Sequence, residues 1–129
     1  RRAPRRHPRS IRYPLVDPVS AALITKSLDG LALRLEVSAT NIANANSKTY
    51  RPSRVTFEDS LRAAAAKGPD AIAAVEPRIE ALPRAPFGDE PRTDLELDTA
   101  AATAGRYSAL IDLLGRQFDI SRTVIRGGQ

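Results

Sequence analysis

Residues 37–52 read Val37-Ser38-Ala39-Thr40-Asn41-Ile42-Ala43-Asn44-Ala45-Asn46-Ser47-Lys48-Thr49-Tyr50-Arg51-Pro52. This is the point where a helical pattern ends and the chain must leave it. Asn is a poor helix former, yet Asn41, Asn44 and Asn46 crowd the closing turn. Their side chains can bond to freed backbone carbonyls and amides and hold the exit in one geometry. Asn also tolerates the left-handed conformation that ends many helices. Tyr50 adds a flat apolar ring with a polar tip, suited to pinning the turn against a neighbour. An ordinary C-cap accounts for one Asn, and three exceed what a cap requires. We single out Asn41, Ile42, Ala43, Asn44, Ala45, Asn46 and Tyr50 as the candidate site.

Upstream of this corner the helix opens at Asp17-Pro18, an N-cap acid followed by Pro at the first helical position. It is expected to run to about Asn44. Ala21, Ile24, Leu28, Leu31, Leu35, Ser38, Ile42 and Ala45 step by alternating threes and fours. Such a heptad stripe is the seam by which one long helix meets another. Gly30 interrupts it at a cost of about 1 kcal/mol relative to Ala, which a close helix approach would offset.

Downstream, Thr56 and Asp59 resemble a capping box with Asp in place of Glu. They predict a short helix through Leu61 and the run Ala63–Ala66, ended by Lys67-Gly68-Pro69. Pro69, Pro77, Pro83, Pro86 and Pro91 follow too closely for any long helix. Residues 69–92 are therefore expected to be mobile or polyproline-like, with Val75, Ile79 and Leu82 able to pack a short extended stretch.

The C-terminal segment repeats the helical pattern. From Leu97, the positions Ala100, Ala104, Tyr107, Ile111, Leu114, Phe118, Ser121 and Ile125 again step by three and four. Asp94, Glu96 and Asp98 stand at the start and Arg122 and Arg126 near the end, where each charge complements the helix dipole. Gly127-Gly128 is the expected stop. The fold class that follows is mainly α. Long N- and C-terminal helices are expected to pack as an antiparallel coiled-coil-like pair around a Pro-rich irregular middle. Its seams are Ile24, Leu28, Leu31, Leu35 and Ile42 on one helix and Tyr107, Ile111, Leu114, Phe118 and Ile125 on the other. The divisions are 1–15, an Arg-rich tail; 16–50, helix and Asn-rich turn; 51–92, short helix and Pro-rich segment; and 93–129, the second helix. A plain helical hairpin is the simplest meaning of the two stripes, and pairing with other chains is the alternative.

The totals narrow the function. The 129 residues fit one small domain. With no Trp, three Tyr and three Phe, burial falls to Ala, Leu, Ile and Val, which suit helix contacts. The absence of Cys removes disulfides and thiolate chemistry. The net charge of +5 misleads. Arg1, Arg2, Arg5, Arg6, Arg9 and Arg12 all lie in residues 1–15, and the 20 bases less these six leave 14 against 15 acids elsewhere. We expect residues 1–15, with Pro4, Pro8 and Pro14, to be a disordered tail translated from upstream sequence, with Val16 as an alternative start. A genuine basic arm is the competing reading. No apolar run approaches the roughly 20 residues that span a bilayer, and no apolar core of a signal peptide follows the Arg-rich start.

Catalytic chemistry finds few residues. His7 stands alone in the tail. Asp94, Glu96 and Asp98 are oxygen donors for a hard cation, but dipole complementarity explains their spacing at a helix start. Glu58-Asp59 form no acid/base pair without a pocket to shift their pKa values. Gly30, Gly68, Gly88, Gly105 and Gly115 are scattered and build no phosphate loop. No catalytic, cofactor-binding or metal-binding residue is assigned, and no small-molecule substrate.

The run Asn41-Ile42-Ala43-Asn44-Ala45-Asn46, a short turn and Tyr50 together resemble the N-terminal signature of the axial flagellar proteins, the rod, hook and hook-associated subunits. That signature reads Asn-Ile/Leu-Ala-Asn-Ala, then Thr-Pro-Gly-Tyr. Arg54-Val55-Thr56-Phe57-Glu58 and Arg106-Tyr107-Ser108-Ala109-Leu110-Ile111-Asp112-Leu113-Leu114 are similar to segments of the flagellar basal-body rod proteins, and the small size points to the proximal rod. The resemblance covers about residues 19–60 and 93–127. The chain departs from it at Ser47-Lys48-Thr49, where a β-branched Thr49 resists the positive φ that Gly supplies. Asn46 or Lys48 must take that conformation, or the turn differs.

The resemblance implies a structural subunit rather than an enzyme, with no cofactor. It implies that the terminal helices line the core of the rod, that partners are other rod subunits and basal-body components near the membrane ring, and that the chain self-associates. It further implies export without a cleaved signal through the flagellar type III apparatus to the periplasmic rod, with ordering completed on assembly. Two other classes compete. A nucleic-acid-binding protein would use the Arg arm and lose salt-sensitive binding on deletion of residues 1–15, but the near-neutral remainder argues for no nucleic acid. A coiled-coil adaptor or chaperone would share the heptads and leave the Asn block unexplained.

Overall fold

A computed structural model describes residues 17–83 and 92–127 of the chain. The fold is mainly helical. Its elements run α1 (Pro18–Ala43), β1 (Ser53–Thr56), α2 (Glu58–Ala65), α3 (Pro69–Ala73), β2 (Arg78–Ala81) and α4 (Thr93–Gly127). The two long helices, at the N- and C-terminal ends, contact each other, and α1 also carries β1, α2 and α3. It is the common support of the molecule.

The start of α1 is built as its sequence predicts. Asp17 Oδ1 accepts from the Val19 amide at 3.3 Å, its Oδ2 accepts from Ser20 Oγ at 3.0 Å, and Pro18 fills the first helical position. An N-cap acid of this kind contributes about 1 kcal/mol. The helix ends where expected, at Asn44, but without the left-handed conformation. Asn44 is the C-cap with φ −104°, not left-handed, and the chain leaves through turns closed by the Ser47 amide on Asn44 O and the Tyr50 amide on Ser47 O.

The middle of the chain is more ordered than its prolines suggest, and here the expectation of an irregular segment is corrected for residues 69–83. Pro69 sits within the first turn of α3, where its missing N–H is harmless. Gly68 precedes it at φ +116°, a conformation that favours Gly. Pro77 and Pro83 flank β2 without entering it. β2 pairs antiparallel with β1, matching Ser53 to Ala81, Arg54 to Glu80, Val55 to Ile79 and Thr56 to Arg78. Arg54 and Glu80, directly opposed, form a cross-strand ion pair at 3.3 Å. The Arg51 guanidinium donates to Leu82 O at 2.7 Å and extends this tie past the strand. Thr56 therefore belongs to β1, and the expected capping box does not form. Phe57 is the N-cap of α2 without a side-chain cap bond, and Glu58 instead accepts from the Phe57 amide at 3.2 Å.

The core lies between α1 and this small α/β layer. Leu31, Val55, Phe57, Leu61, Ala64, Ile72 and Val75 form one buried cluster, with Ile72 fully enclosed. Tyr107 and Leu110 of α4 also pack against it. Gly30 is buried where the Phe57 ring lies across α1. The close approach expected at this glycine is thus made by an aromatic ring rather than a second helix.

Candidate assembly site

Asn41 is the centre of the candidate site. Four hydrogen bonds converge on its amide. Oδ1 accepts from the Tyr50 hydroxyl at 2.8 Å and from the Ser53 amide at 3.1 Å. Nδ2 donates to Ser53 O at 2.8 Å and to Glu96 Oε1 at 3.1 Å. The side chain is 3% exposed, so each of these bonds forms largely out of water. By meeting both the N–H and C=O of Ser53, the Asn41 amide imitates a neighbouring strand and closes the edge of β1 opposite β2. Arg34 completes that edge by donating to Val55 O at 2.9 Å. One side chain thus joins the end of α1, the Tyr50 turn, the first strand and the start of α4.

The other Asn residues have smaller parts. Asn44 Nδ2 donates to Thr40 O at 2.8 Å, one turn back, and satisfies a carbonyl at the helix end. Asn46 is exposed. Ile42 and Ala45 are half-buried and Ala43 is exposed. The turn that replaces Thr-Pro-Gly brings Ser47 Oγ and Thr49 Oγ1 to 3.3 Å. Sequence reasoning assigned Glu96 only to the helix dipole, and its bond to Asn41 went unforeseen because the two lie 55 positions apart.

A second polar group braces the same corner. Arg34 forms an ion pair with Glu58, and its guanidinium lies 4.9 Å from the centre of the Phe57 ring. Burial pushes the Glu58 carboxyl up, but the Arg34 guanidinium and the amides of Glu58 and Phe57 outweigh it and hold the group below its ordinary value. Neither Arg34 nor Phe57 stood out in the sequence as a pair, since no periodicity joins them.

The two seams are only partly as expected. On α1, Ile24, Leu31 and Ser38 are buried, and Ala21, Leu28, Leu35, Ile42 and Ala45 are half-buried. On α4 the covered side runs Glu96, Ala100, Thr103, Tyr107, Leu110, Leu114, Gln117 and Ser121. It shares Ala100, Tyr107, Leu114 and Ser121 with the predicted stripe. The predicted Ile111, Phe118 and Ile125 are instead 44%, 55% and 58% exposed, and Leu97 is 55% exposed. Thr103, Leu110 and Gln117, whose mixed polarity hid them, take the covered places. Two heptad positions, 96/103/110/117 and 100/107/114/121, face inward, and the series 97/104/111/118/125 beside them is left bare.

Among the described residues, no group of three or more His, Asp or Glu side chains could hold a metal ion. An open depression of about 290 Å³ beside α1 and α3 is lined by Ala21, Ala22, Thr25, Lys26, Asp29 and Ala73. Its two charged groups face each other at 3.9 Å. No described helix is long and apolar enough to cross a membrane. His7 and residues 1–15 lie outside the described residues. Comparison with protein-family models, with curated proteins and with solved structures returns no match.

Proposed function

We propose that this chain is a structural subunit of the proximal rod of the bacterial flagellar basal body, most like the rod protein FlgB, with its sister FlgC as the near alternative. The observation that carries the reading is the convergence of Tyr50, Ser53 and Glu96 on the buried amide of Asn41. It gives the Asn–Tyr motif one mechanical task, to fix how the chain leaves the first helix while holding the second against it. A structural role asks for a corner of this kind and for no catalytic group.

We further read α1 and α4 as an antiparallel, coiled-coil-like pair. In support, the Asn41–Glu96 bond joins the end of α1 to the start of α4, and the covered positions of α4 step by threes and fours. With 35 residues against 26, α4 then reaches past the start of α1. The stripe left bare on α4 is surface for neighbouring subunits in the rod and components near the membrane ring. Delivery would be through the flagellar type III export apparatus to the periplasmic rod.

Mass spectrometry of purified basal bodies tests the assignment. Peptides of this chain should copurify with the rod and disappear from preparations stripped of rod components. Their absence from intact basal bodies of cells that express the chain would exclude it.

A further inference from the structure

We propose that a second copy of this chain covers the bare stripe of α4, with the two α4 helices antiparallel across a twofold axis near Tyr107 and Ser108. The stripe Leu97, Ala104, Ile111, Phe118 and Ile125 repeats every seven residues, and its large members are 44–58% exposed. It runs along the flank of α4 beside the side turned to α1, so a second helix can lie there without displacing the first.

Charge commits this stripe to a like helix. The start of α4 carries Asp94, Glu96 and Asp98 and no base over residues 93–105. Its end carries Arg116, Arg122 and Arg126 against Asp119 over residues 113–127. Two copies side by side in one direction and register place like charges together. Reversal lays the acidic start of one on the basic end of the other. Asp94, one turn before Leu97, and Arg122, one turn after Phe118, border the stripe on the same side, and Asp94 stays largely exposed in its surface pair with Arg92.

Reversal also suits the side chains. With Leu97 level with the second copy's Phe118, Ala104 falls level with its Ile111, so a small residue meets a branched one in the two central layers. In that register Asp94 stands level with Ser121, one residue from Arg122, and the two Ser108 side chains lie beside the axis. The contact is isologous and closes on itself, giving a dimer rather than a filament. It concerns the free chain and does not rest on the rod reading, although rod assembly would use the same stripe once the pair opens.

Sedimentation equilibrium of the purified full chain gives the first measurement, with an expected mass twice the 14.0 kDa of the monomer. Asp94→Arg and Arg122→Asp should each raise the dissociation constant about tenfold. Both changes in one chain should restore the parent value, because they exchange charges across the axis. Circular dichroism verifies that each variant keeps its helix. The chain has no Cys, so oxidation of Ser108→Cys should link two copies cleanly, while Leu97→Cys should link only when mixed with Phe118→Cys. A chain that stays monomeric at millimolar concentration overturns the proposal. So does a charge-exchanged variant weaker than either single one, or a Leu97→Cys chain that links to itself.

Discussion

The ring of Phe57 occupies the space that a side chain on Gly30 would need: a Cβ placed there would lie 2.6 Å from two ring carbons and 2.7 Å from a third. A glycine inside a helix costs about 1 kcal/mol relative to Ala, and this contact is what the helix gains in return. Gly30→Ala should therefore destabilise the chain by about 1–3 kcal/mol through overpacking, although Ala is the better helix former. Urea denaturation measures it. A stabilised variant would show that the ring can move aside cheaply.

Asn41 should matter far more than the residues that share its motif. Asn41→Ala removes four hydrogen bonds and leaves the Ser53 amide and carbonyl without their partner. The expected loss is about 1–3 kcal/mol. Asn46→Ala, at an exposed turn, should stay within about 0.5 kcal/mol, with Asn44→Ala between them. Asn41→Asp keeps an acceptor for Tyr50 but sets a carboxylate against Glu96, so it should not rescue. Thermal melts of the four variants give the ranking, and equal effects would reduce the motif to an ordinary cap.

The two helices were legible in the sequence because their apolar residues repeat at helical spacing and Asp17-Pro18 marks a start. The face of α4 was not. Leu110 and Ile111 are adjacent and equally apolar, and only the position of α1 decides that one is covered and the other bare. The β1–β2 pair was hidden by Pro77 and Pro83, which read as breakers yet only bracket a four-residue strand. Its signals were the Val55–Ile79 and Arg54–Glu80 matches, which acquire meaning once α2 and α3 return the chain to β1. Asn41 was picked out by composition, but its bond to Glu96 depends on tertiary structure.

Glu58 should make stability sensitive to acid. Its folded carboxyl is held below the ordinary 4.5, so the charged form is favoured by folding. That contribution is complete above the ordinary value and fades as pH falls through the lower folded one. The carboxylate is about half exposed, which keeps the effect small. Glu58→Gln should accordingly show a shallower loss of stability below pH 4.5 than the parent chain. Denaturation midpoints across that range decide it, and parallel curves would mean that the Arg34 pair is not maintained in solution.

Substitutions in the stripes should separate folding from assembly. Leu31 is 4% exposed within the core, so Leu31→Asp should unfold the monomer. Phe118→Asp and Ile125→Asp lie on the bare flank and should leave the helicity and melting temperature of the dilute, monomeric chain unchanged while preventing motility. Circular dichroism and swimming assays on the same variants make the comparison. Stable variants that restore full swimming would remove the bare stripe from assembly.

In-frame deletion of the gene, followed by electron microscopy of isolated basal bodies, tests the proposed rod role most directly. The prediction is non-swimming cells whose basal bodies lack a rod, with both properties restored by the intact gene. Complete rods and normal swimming in the deletion strain would contradict it.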